Sequence, residues 1–242
     1  MSYFKHSVSV YWRVLRSLTE RATGGILQCE LWEKVMQRFM GKVVLVTGAG
    51  SGIGKASASR LAAEGGSIFC VDLNREAVES AAAEITAEGG VATHWVCDVG
   101  NEASVQEAVG ACIEGYGSLY GVVNMAGILR FDDTEELQTD DWQKVIDINL
   151  TGTMFLCRAA LPYLVETRGS IVNAASTAAL SGLPCGLAYS ASKAAIVGMT
   201  LPMARDLAPL GIRVMTVVGR SHAWLVEPDG LLCLLGSVFR LA

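Results

Sequence analysis

The chain has 242 residues, of which 51% are hydrophobic and 18% are charged. This is enough apolar sequence for one well-buried core, and the length favours a single domain. The formal net charge of -5 provides no basic field for a phosphodiester backbone, so the composition argues against nucleic acid as a partner and favours a small soluble ligand.

The cysteine pattern bears on metal binding and on cellular location. The seven cysteines include no C-x-x-C pair and no histidines at zinc spacing, so we expect reduced, mostly buried thiols and no metal site. No apolar run reaches the length of a bilayer span, because the longest candidate, residues 231–239, is interrupted by Gly236 and Ser237. The sequence therefore predicts no membrane span and a cytoplasmic location.

Residues 1–40 are interpreted as an N-terminal extension. The part before Glu20 is rich in arginine and poor in acids, which is typical of a mitochondrial presequence. If residues 1–35 are a presequence, the mature protein would lie in the mitochondrial matrix. The alternative that we favour is an extension or a misplaced start, since Met36 and Met40 stand immediately before the first predicted strand.

From Lys42 onward, short β-branched runs alternate with longer helical stretches, as in a parallel sheet covered on both faces. The predicted strands are 43–47, 67–72, 91–96, 119–124, 170–174 and 213–218, and the predicted helices are 51–64, 74–88, 102–116, 140–164 and 189–207. Right-handed crossovers would put the carboxyl ends of the strands at one edge. We therefore expect an α/β fold with a doubly wound parallel sheet, forming a single Rossmann-like domain of three layers over residues 41–218.

A glycine-rich turn joins the first predicted strand to the first predicted helix. Gly48, Gly52 and Gly54 would let backbone amides approach a pyrophosphate at the positive end of the helix. The spacing is G-x-x-x-G-x-G rather than G-x-G-x-x-G, because Ile53 occupies the third glycine position of the latter. By itself the pattern is equally consistent with a tight turn that binds nothing.

Asp72 strengthens the interpretation as a nucleotide site. It ends the second predicted strand about 18 residues beyond Gly54, close to the offset typical of a ribose-binding acid. Its charge would repel a 2′-phosphate, and Ser51 offers no compensating cation, so NAD is predicted in preference to NADP. Arg75 is the one nearby residue that could weaken this preference, and the alternative role for Asp72 is a helix N-cap or a turn.

Tyr189 and Lys193 lie one helical turn apart in the string Y-S-A-S-K. A tyrosine with its ordinary pKa of about 10 is too weakly ionised to take a proton from an alcohol efficiently. A lysine at position i+4 can favour the phenolate and can also reach a nicotinamide ribose. The Y-x-x-x-K spacing alone also occurs on exposed helices, where the pair is only solvated.

With Asn149 and Ser176 in addition, the chain resembles the short-chain dehydrogenase/reductase family over about residues 42–217. The resemblance implies that Ser176 hydrogen-bonds the substrate oxygen, that Asn149 supports a water chain leading protons away from Lys193, and that Tyr189 is the acid/base. The alternatives are an N-cap or turn role for Ser176 and a backbone-bonded helical position for Asn149. The implied activity is hydride transfer between NAD and a secondary alcohol or ketone, such as a 3-hydroxyacyl or 3-oxoacyl thioester or a hydroxysteroid.

Other segments extend the resemblance. Asp98 and Val99 look like the adenine-contacting pair of the family, and N-M-A-G at residues 124–127 looks like its N-N-A-G turn, with Met125 in place of the second asparagine. Residues 196–216 are similar to type 2 3-hydroxyacyl-CoA dehydrogenases. The predicted cofactor-binding residues are Gly48, Ser51, Gly52, Ile53, Gly54, Asp72, Leu73, Asp98, Val99, Asn124, Ala126, Gly127, Tyr189 and Lys193.

The sequence departs from the family near its C-terminus. After residues 211–214 the family would place a Pro-Gly turn, helices that cover the substrate and a last strand, whereas residues 219–242 form an atypical apolar tail. We therefore expect an incomplete C-terminal end with the sixth strand as an exposed edge. The alternative function is a truncated, catalytically impaired dinucleotide-binding or regulatory isoform. The resemblance also implies a homo-oligomer, although the absent elements would contribute to its interface.

Overall fold

The computed structural model describes residues 37–219. The predictions made for residues 1–36, including the presequence, and for the tail from residue 220 onward lie outside the described residues. The division at residue 41 between an extension and the domain stays a prediction.

Six parallel strands form one sheet. The strands are β1 (Val43–Thr47), β2 (Ser67–Asp72), β3 (Val91–Val96), β4 (Gly121–Asn124), β5 (Ser170–Ser176) and β6 (Arg213–Gly219). Their order across the sheet is β3-β2-β1-β4-β5-β6, and every neighbouring pair is parallel. The chain thus builds outward from β1 to one side and then from β4 to the other, which confirms the doubly wound α/β fold.

Helices cover both faces of this sheet. They are α1 (Gly52–Ala63), α2 (Arg75–Ala87), α3 (Glu102–Tyr116), α4 (Thr139–Ile146), α5 (Gly152–Thr167), α6 (Ala178–Ser181) and α7 (Leu187–Leu207), with a 3₁₀ turn at Ala208–Leu210. The single helix predicted over residues 140–164 is instead interrupted by a π-helical turn, Asp147–Thr151. The short helix α6 was not predicted. Strand β5 continues to Ser176, beyond the predicted end at residue 174.

Alternate residues of β1 enter two separate cores, one on each face of the sheet. Val43 and Leu45 pack with residues of α3 and α5, whereas Val44 and Val46 pack with residues of α1 and α2. Successive side chains of a strand point to opposite faces, so a strand covered on both sides needs a continuous apolar run. The arrangement confirms the three layers.

The residues just before β1 pack against the end of α1. The side chain of Glu64 is 2% exposed, and the guanidinium groups of Arg38 and Arg60 both lie within 2.6 Å of its carboxylate. The amide of Phe39 donates to the carbonyl oxygen of Glu64 at 3.0 Å. The hydrogen bond from Arg38 holds the pKa of Glu64 below its usual value, and together with Arg60 it outweighs the opposing effect of burial.

The continuous helical segment Thr139–Thr167 has 29 residues and a mean hydropathy of 1.2 in its most apolar window, so by length and composition alone it is sufficient to cross a membrane. This criterion is weak evidence, since core helices of soluble domains also meet it. Here Leu156, Ala160 and Leu164 pack into the core on the α3 side of the sheet. That packing accounts for the apolar character of the segment.

Four of the five cysteines in the described part of the chain are buried. Burial raises the pKa values of Cys70, Cys112 and Cys157 to about 12, which makes these thiols poor nucleophiles. The exposed Cys185 donates to Oδ1 of Asp133 at 3.0 Å, and that hydrogen bond raises its pKa as well. The buried thiols Cys70, Cys112 and Cys157 therefore have a packing role.

Candidate active site

A cavity of about 870 Å³ opens at the carboxyl ends of the strands. The wall includes Gly48 after β1, Asp72 at the end of β2, Ser176 at the end of β5 and Gly219 at the end of β6. Thirteen of the predicted site residues line it, namely Gly48, Ser51, Ile53, Gly54, Asp72, Leu73, Asp98, Val99, Ala126, Gly127, Ser176, Tyr189 and Lys193. The parallel topology thus brings most of the proposed residues to one place.

The glycine loop is shaped by a close backbone contact. A Cβ atom on Gly54 would lie 2.0 Å from the carbonyl oxygen of Gly48, a separation that no side chain can occupy. Gly48 itself has a φ of +65°, in the left-handed region that favours glycine. Ser51 stands at the N-cap of α1, but its side chain makes no capping hydrogen bond, so the first turn of α1 has no side-chain acceptor at this position. Such a turn suits an anionic group.

Asp72 supports this loop from the adjacent strand. Its Oδ2 accepts from the amide of Gly50 at 2.9 Å and its Oδ1 from the amide of Asn74 at 3.0 Å. Asn74 is the N-cap of α2, because its side chain accepts from the amide of Ala77, so Asp72 is not the helix cap. Gly50 was not among the predicted site residues, although it lies inside the glycine-rich string.

Arg75 does not pair with Asp72 in the structure. Its guanidinium lies 3.5 Å from the carboxylate of Glu79, one turn further along α2. The carboxylate of Asp72 therefore has two amide donors and no cationic partner among the described residues.

Thr47 joins the first strand to the turn after β4. Its buried hydroxyl oxygen accepts from the amides of Met125 and Ala126, both at 3.1 Å. The turn is thus held through backbone amides, so the replacement of an asparagine by Met125 does not remove these bonds. No role was predicted for Thr47, although its place at the start of the glycine-rich string could have indicated one.

Asn124 and Gly52 do not line the cavity. The amide nitrogen of Asn124 donates to Oδ1 of Asn173 at 2.8 Å inside the buried layer between strands and helices. Gly52 has a φ of +51° and open space where a Cβ atom would lie, so glycine is favoured there by the backbone conformation and not by a lack of space. The assignment of both as cofactor-binding residues stays a prediction.

Asp98 and Val99 form another part of the wall, after β3. The exposed Asp98 accepts through Oδ1 from the amide of Gly100 at 2.9 Å, and Val99 is buried. Leu73, at the end of β2, is 66% exposed and also lines the cavity. An apolar surface beside an exposed carboxylate is suited to a flat heteroaromatic ring with polar edges.

The proposed catalytic side chains come from β5 and α7. Tyr189 and Lys193 lie on one face of α7, and the Lys193 ammonium is 5.7 Å from the centroid of the Tyr189 ring. The same ammonium donates to the carbonyl oxygen of Ala174 at 2.8 Å. Ser176 accepts through Oγ from the amide of Ala178 at 3.2 Å, so it has the turn role considered above while its hydroxyl also lines the cavity.

Burial dominates the ionisation of this pair. It raises the pKa of Tyr189, an effect that the Ser176 hydroxyl partly offsets, and it lowers the pKa of Lys193 to about 8. Both groups are buried, 3% and 4% exposed respectively, and desolvation disfavours both charged forms. The expectation that a charged Lys193 favours the phenolate stays a prediction.

Asn149 lies in the π-helical turn and is fully buried. Its Oδ1 accepts from the amide of Ile128 at 2.8 Å, while its Nδ2 donates to the carbonyl oxygen of Ile128 at 2.9 Å and to Oγ of Ser192 at 3.1 Å. The side chain is thus not bonded to its own backbone, the alternative considered from the sequence. It fixes the turn after β4 against α7, although it does not line the cavity.

Gly127 separates Asn149 from Lys193. A Cβ atom at this position would lie 3.1 Å from Oδ1 of Asn149 and 3.5 Å from the ammonium of Lys193. The absence of a side chain lets both groups approach the same stretch of backbone. The structure therefore brings Asn149 to the edge of the group formed by Ser176, Tyr189 and Lys193.

Comparison with known proteins gives the family. The family model described as short chain dehydrogenase matches residues 42–219. The chain is 42% identical over 181 residues to a D-threitol dehydrogenase of Mycolicibacterium smegmatis, covering 74% of this chain and 70% of the relative. It is 42% identical over 179 residues to a 3beta-hydroxysteroid dehydrogenase of Mediterraneibacter gnavus, and this alignment covers 74% of this chain and 65% of the relative.

A third relative is a 3-oxoacyl-[acyl-carrier-protein] reductase of Thermotoga maritima, which is 37% identical over 181 residues. The alignment covers 74% of this chain and 74% of the relative. Among solved structures, NAD⁺-bound xylitol dehydrogenase superposes with a TM-score of 0.72 at 39% identity, covering 75% of this chain and 71% of that one. The family model, these relatives and the observed geometry agree. The chain belongs to the short-chain dehydrogenase family, NAD(P)-dependent oxidoreductases that act on the CH–OH group of secondary alcohols and on the corresponding ketones.

Proposed function

We propose that this chain is an NAD-dependent dehydrogenase in which Tyr189 is the acid/base. The observation that carries the proposal is the meeting of Ser176, Tyr189 and Lys193 on one wall of the cavity that Asp72 borders. A set of three such side chains serves proton transfer, whereas a site that only binds a dinucleotide has no need of a buried tyrosine.

The cavity residues fit a dinucleotide. The contact of Gly54 with Gly48 leaves no room for a side chain, and the uncapped start of α1 offers backbone amides to a pyrophosphate. The carboxylate of Asp72, which has amide donors but no cationic partner in the described chain, favours ribose hydroxyls and disfavours a 2′-phosphate. The similar xylitol dehydrogenase was solved in its NAD⁺-bound form, which is consistent with this preference.

A nicotinamide dinucleotide held by these residues would supply the hydride acceptor for alcohol oxidation and the hydride donor for ketone reduction. Tyr189 takes the hydroxyl proton during oxidation and returns it during reduction. Ser176 orients the substrate oxygen toward that phenol, and a protonated Lys193 stabilises the phenolate. Asn149 positions Lys193 and Tyr189 indirectly, through Ile128 and Ser192, and we retain its part in a proton-carrying water chain as a prediction.

The test begins with equilibrium binding of NADH and NADPH to the purified protein, followed by reduction of NAD⁺ with a panel of secondary alcohols. We expect tighter binding of NADH and turnover that Tyr189→Phe abolishes while NADH binding persists. Full turnover by Tyr189→Phe would contradict the role of Tyr189. A tighter complex with NADPH would contradict the cofactor preference.

A second candidate is a catalytically impaired dinucleotide-binding or regulatory protein. The family match ends at residue 219, and the alignment covers 65% to 74% of the relatives named above. The same experiment separates the candidates. Binding of NADH without turnover of any alcohol supports the regulatory protein, and turnover excludes it.

A further inference from the structure

The part of the cavity wall beside Tyr189 is apolar. Leu129, Phe131 and Leu183 line it, and two hydrogen bonds hold them there. The amide of Asp132 donates to the carbonyl oxygen of Cys185 at 2.7 Å, which ties the loop after β4 to the loop before α7. The amide of Leu183 donates to Oγ of Ser190, the residue next to Tyr189, at 3.1 Å.

This wall offers few polar partners to a substrate. The charged residues that line the described cavity are Asp72 and Asp98, which belong to the strand ends near the glycine loop, and Lys193, whose ammonium bonds to Ala174. Residues 177–188, which comprise α6, the loop that carries Leu183 and the start of α7, contain no charged side chain. Additional hydroxyl groups on a substrate that pack against these described residues would therefore be buried without compensating hydrogen bonds from them, at a cost in binding.

The loop that carries Phe131 is strongly acidic. We call residues 130–141, the loop together with the first residues of α4, the acidic loop. They contain six carboxylates, Asp132, Asp133, Glu135, Glu136, Asp140 and Asp141. The one base in the acidic loop is Arg130, and its guanidinium lies 3.1 Å from Asp141 and 3.9 Å from Asp132. A negative potential beside the opening lowers the local concentration of anionic ligands.

We infer that the substrate is an uncharged secondary alcohol or ketone with an apolar body, and that the acidic loop discriminates against anionic thioesters of coenzyme A or acyl carrier protein. Polyols are disfavoured by the apolar wall. This inference rests on the proposed function and narrows it. An uncharged substrate differs from the acyl-CoA substrate suggested by the similarity of residues 196–216 to type 2 3-hydroxyacyl-CoA dehydrogenases.

The kinetic test compares substrates that share a reacting group. The neutral N-acetylcysteamine thioester of 3-hydroxybutyrate carries the same acyl group as 3-hydroxybutyryl-CoA but lacks its phosphates. We expect kcat/KM to be higher for the neutral thioester by at least about tenfold at low salt, with the difference falling as salt screens the loop. Cyclohexanol should likewise be preferred to xylitol. Equal or better turnover of the CoA thioester, or a preference for xylitol, overturns the inference.

Matched variants identify the residues responsible. The pair Glu135→Lys and Glu136→Lys should raise the ratio of kcat/KM for the CoA thioester to that for the neutral one by about threefold or more at low salt. The same charge change at Glu88 and Glu114, exposed residues at the end of α2 and on α3, should leave the ratio unchanged. An equal effect of both pairs would show a response to net charge alone and would overturn the role of the acidic loop.

A binding measurement keeps this inference separate from the proposed function. Ligand-observed NMR can rank cyclohexanone against 4-oxocyclohexanecarboxylate on the full chain without any turnover. Tighter binding of the neutral ketone supports the inference, and equal or tighter binding of the carboxylate overturns it. Absence of turnover with every alcohol counts against the dehydrogenase proposal, whatever the order of binding.

Discussion

The backbone amide of Gly50 donates a hydrogen bond of 2.9 Å to Oδ2 of Asp72. The loop after β1 and the end of β2 are therefore fixed to each other before any ligand binds. A Cβ atom on Gly50 would lie 3.0 Å from the same oxygen and 2.9 Å from Cβ of Ala77, so the contact also limits which residue can occupy this position. The Asp72 carboxylate thus shapes the glycine loop, and it is proposed to bind the dinucleotide together with that loop.

The first prediction separates these two roles of Asp72. Asp72→Asn keeps an oxygen that can accept from Gly50 but loses the charge, so we expect a stable protein whose affinity for NADPH rises relative to NADH by about tenfold. Asp72→Ala loses the acceptor too, and should weaken binding of both dinucleotides. Fluorescence titration with each reduced dinucleotide measures the ratio. The exposed Asp206→Asn on α7 is the control, and an unchanged ratio in Asp72→Asn would show that the charge does not select the cofactor.

The second prediction concerns Thr47. Thr47→Val keeps the shape of the side chain but leaves the amides of Met125 and Ala126 without their acceptor, so we expect a loss of about 1–3 kcal/mol in the free energy of unfolding. Urea denaturation measures it. Thr86→Val should cost much less, because the Thr86 hydroxyl bonds only to the carbonyl oxygen of Ala82 within its own helix. Equal costs for the two variants would contradict a special role for Thr47.

The third prediction is a pH profile for Lys193. Burial lowers its pKa to about 8, so the ammonium predominates below that pH and is lost progressively as the pH rises through it. A positive charge at this position favours the phenolate form of Tyr189, whose own pKa burial raises. For alcohol oxidation we therefore expect the ratio of kcat/KM between the wild type and Lys193→Met to be largest below pH 8 and to fall at higher pH. A ratio that does not vary with pH would assign Lys193 a structural role only.

The fourth prediction links acid stability to Glu64. Because the folded protein holds the pKa of this carboxyl below its ordinary value, the ion pairs stabilise the fold above the ordinary pKa and cease to do so as pH falls through the lowered one. Glu64→Gln should cost about 1–3 kcal/mol at pH 7, and the difference from wild type should shrink below about pH 4. Thermal unfolding across pH measures this.

The control for that experiment is Glu84→Gln. The Glu84 carboxylate pairs with Lys55 at 2.7 Å, but it is 54% exposed, and exposed pairs contribute little to stability. The melting temperature of Glu84→Gln should therefore follow that of the wild type at every pH. A larger loss for Glu84→Gln than for Glu64→Gln would contradict the importance assigned to burial.

Local patterns were sufficient to predict most of the fold. The predicted bounds of β1, β2, β3 and α3 coincide with those in the structure, since apolar runs between glycines, acids and helix caps are local signals. The π-helical turn could not be predicted in this way, because one extra residue barely changes the apolar periodicity of a long helix. The partners of Asn149 were equally inaccessible, since Ile128 and Ser192 lie 21 and 43 residues away in the chain.

The candidate site was predicted largely through the family resemblance, which gave residues but not their surroundings. Thr47 and Gly50 were missed because their importance depends on hydrogen bonds between separate strands and loops. The effect of burial on the pKa values of Tyr189 and Lys193 was not predicted, for a related reason. Spacing along a helix predicts that the two side chains are neighbours, but only the folded protein determines how much water surrounds them.

Because the turn Asp147–Thr151 is π-helical, the arrangement around it depends on how many residues the turn contains as well as on which residues they are. A π-helical turn holds one residue more than an α-helical one, so deleting a residue here would convert the turn to an α-helical one and change which side chain of the turn faces α7. Both helices would remain good helices. A different side chain would nevertheless face Ile128 and Ser192, and a single-codon deletion that leaves every named active-site residue in the chain would still dismantle the arrangement around Lys193.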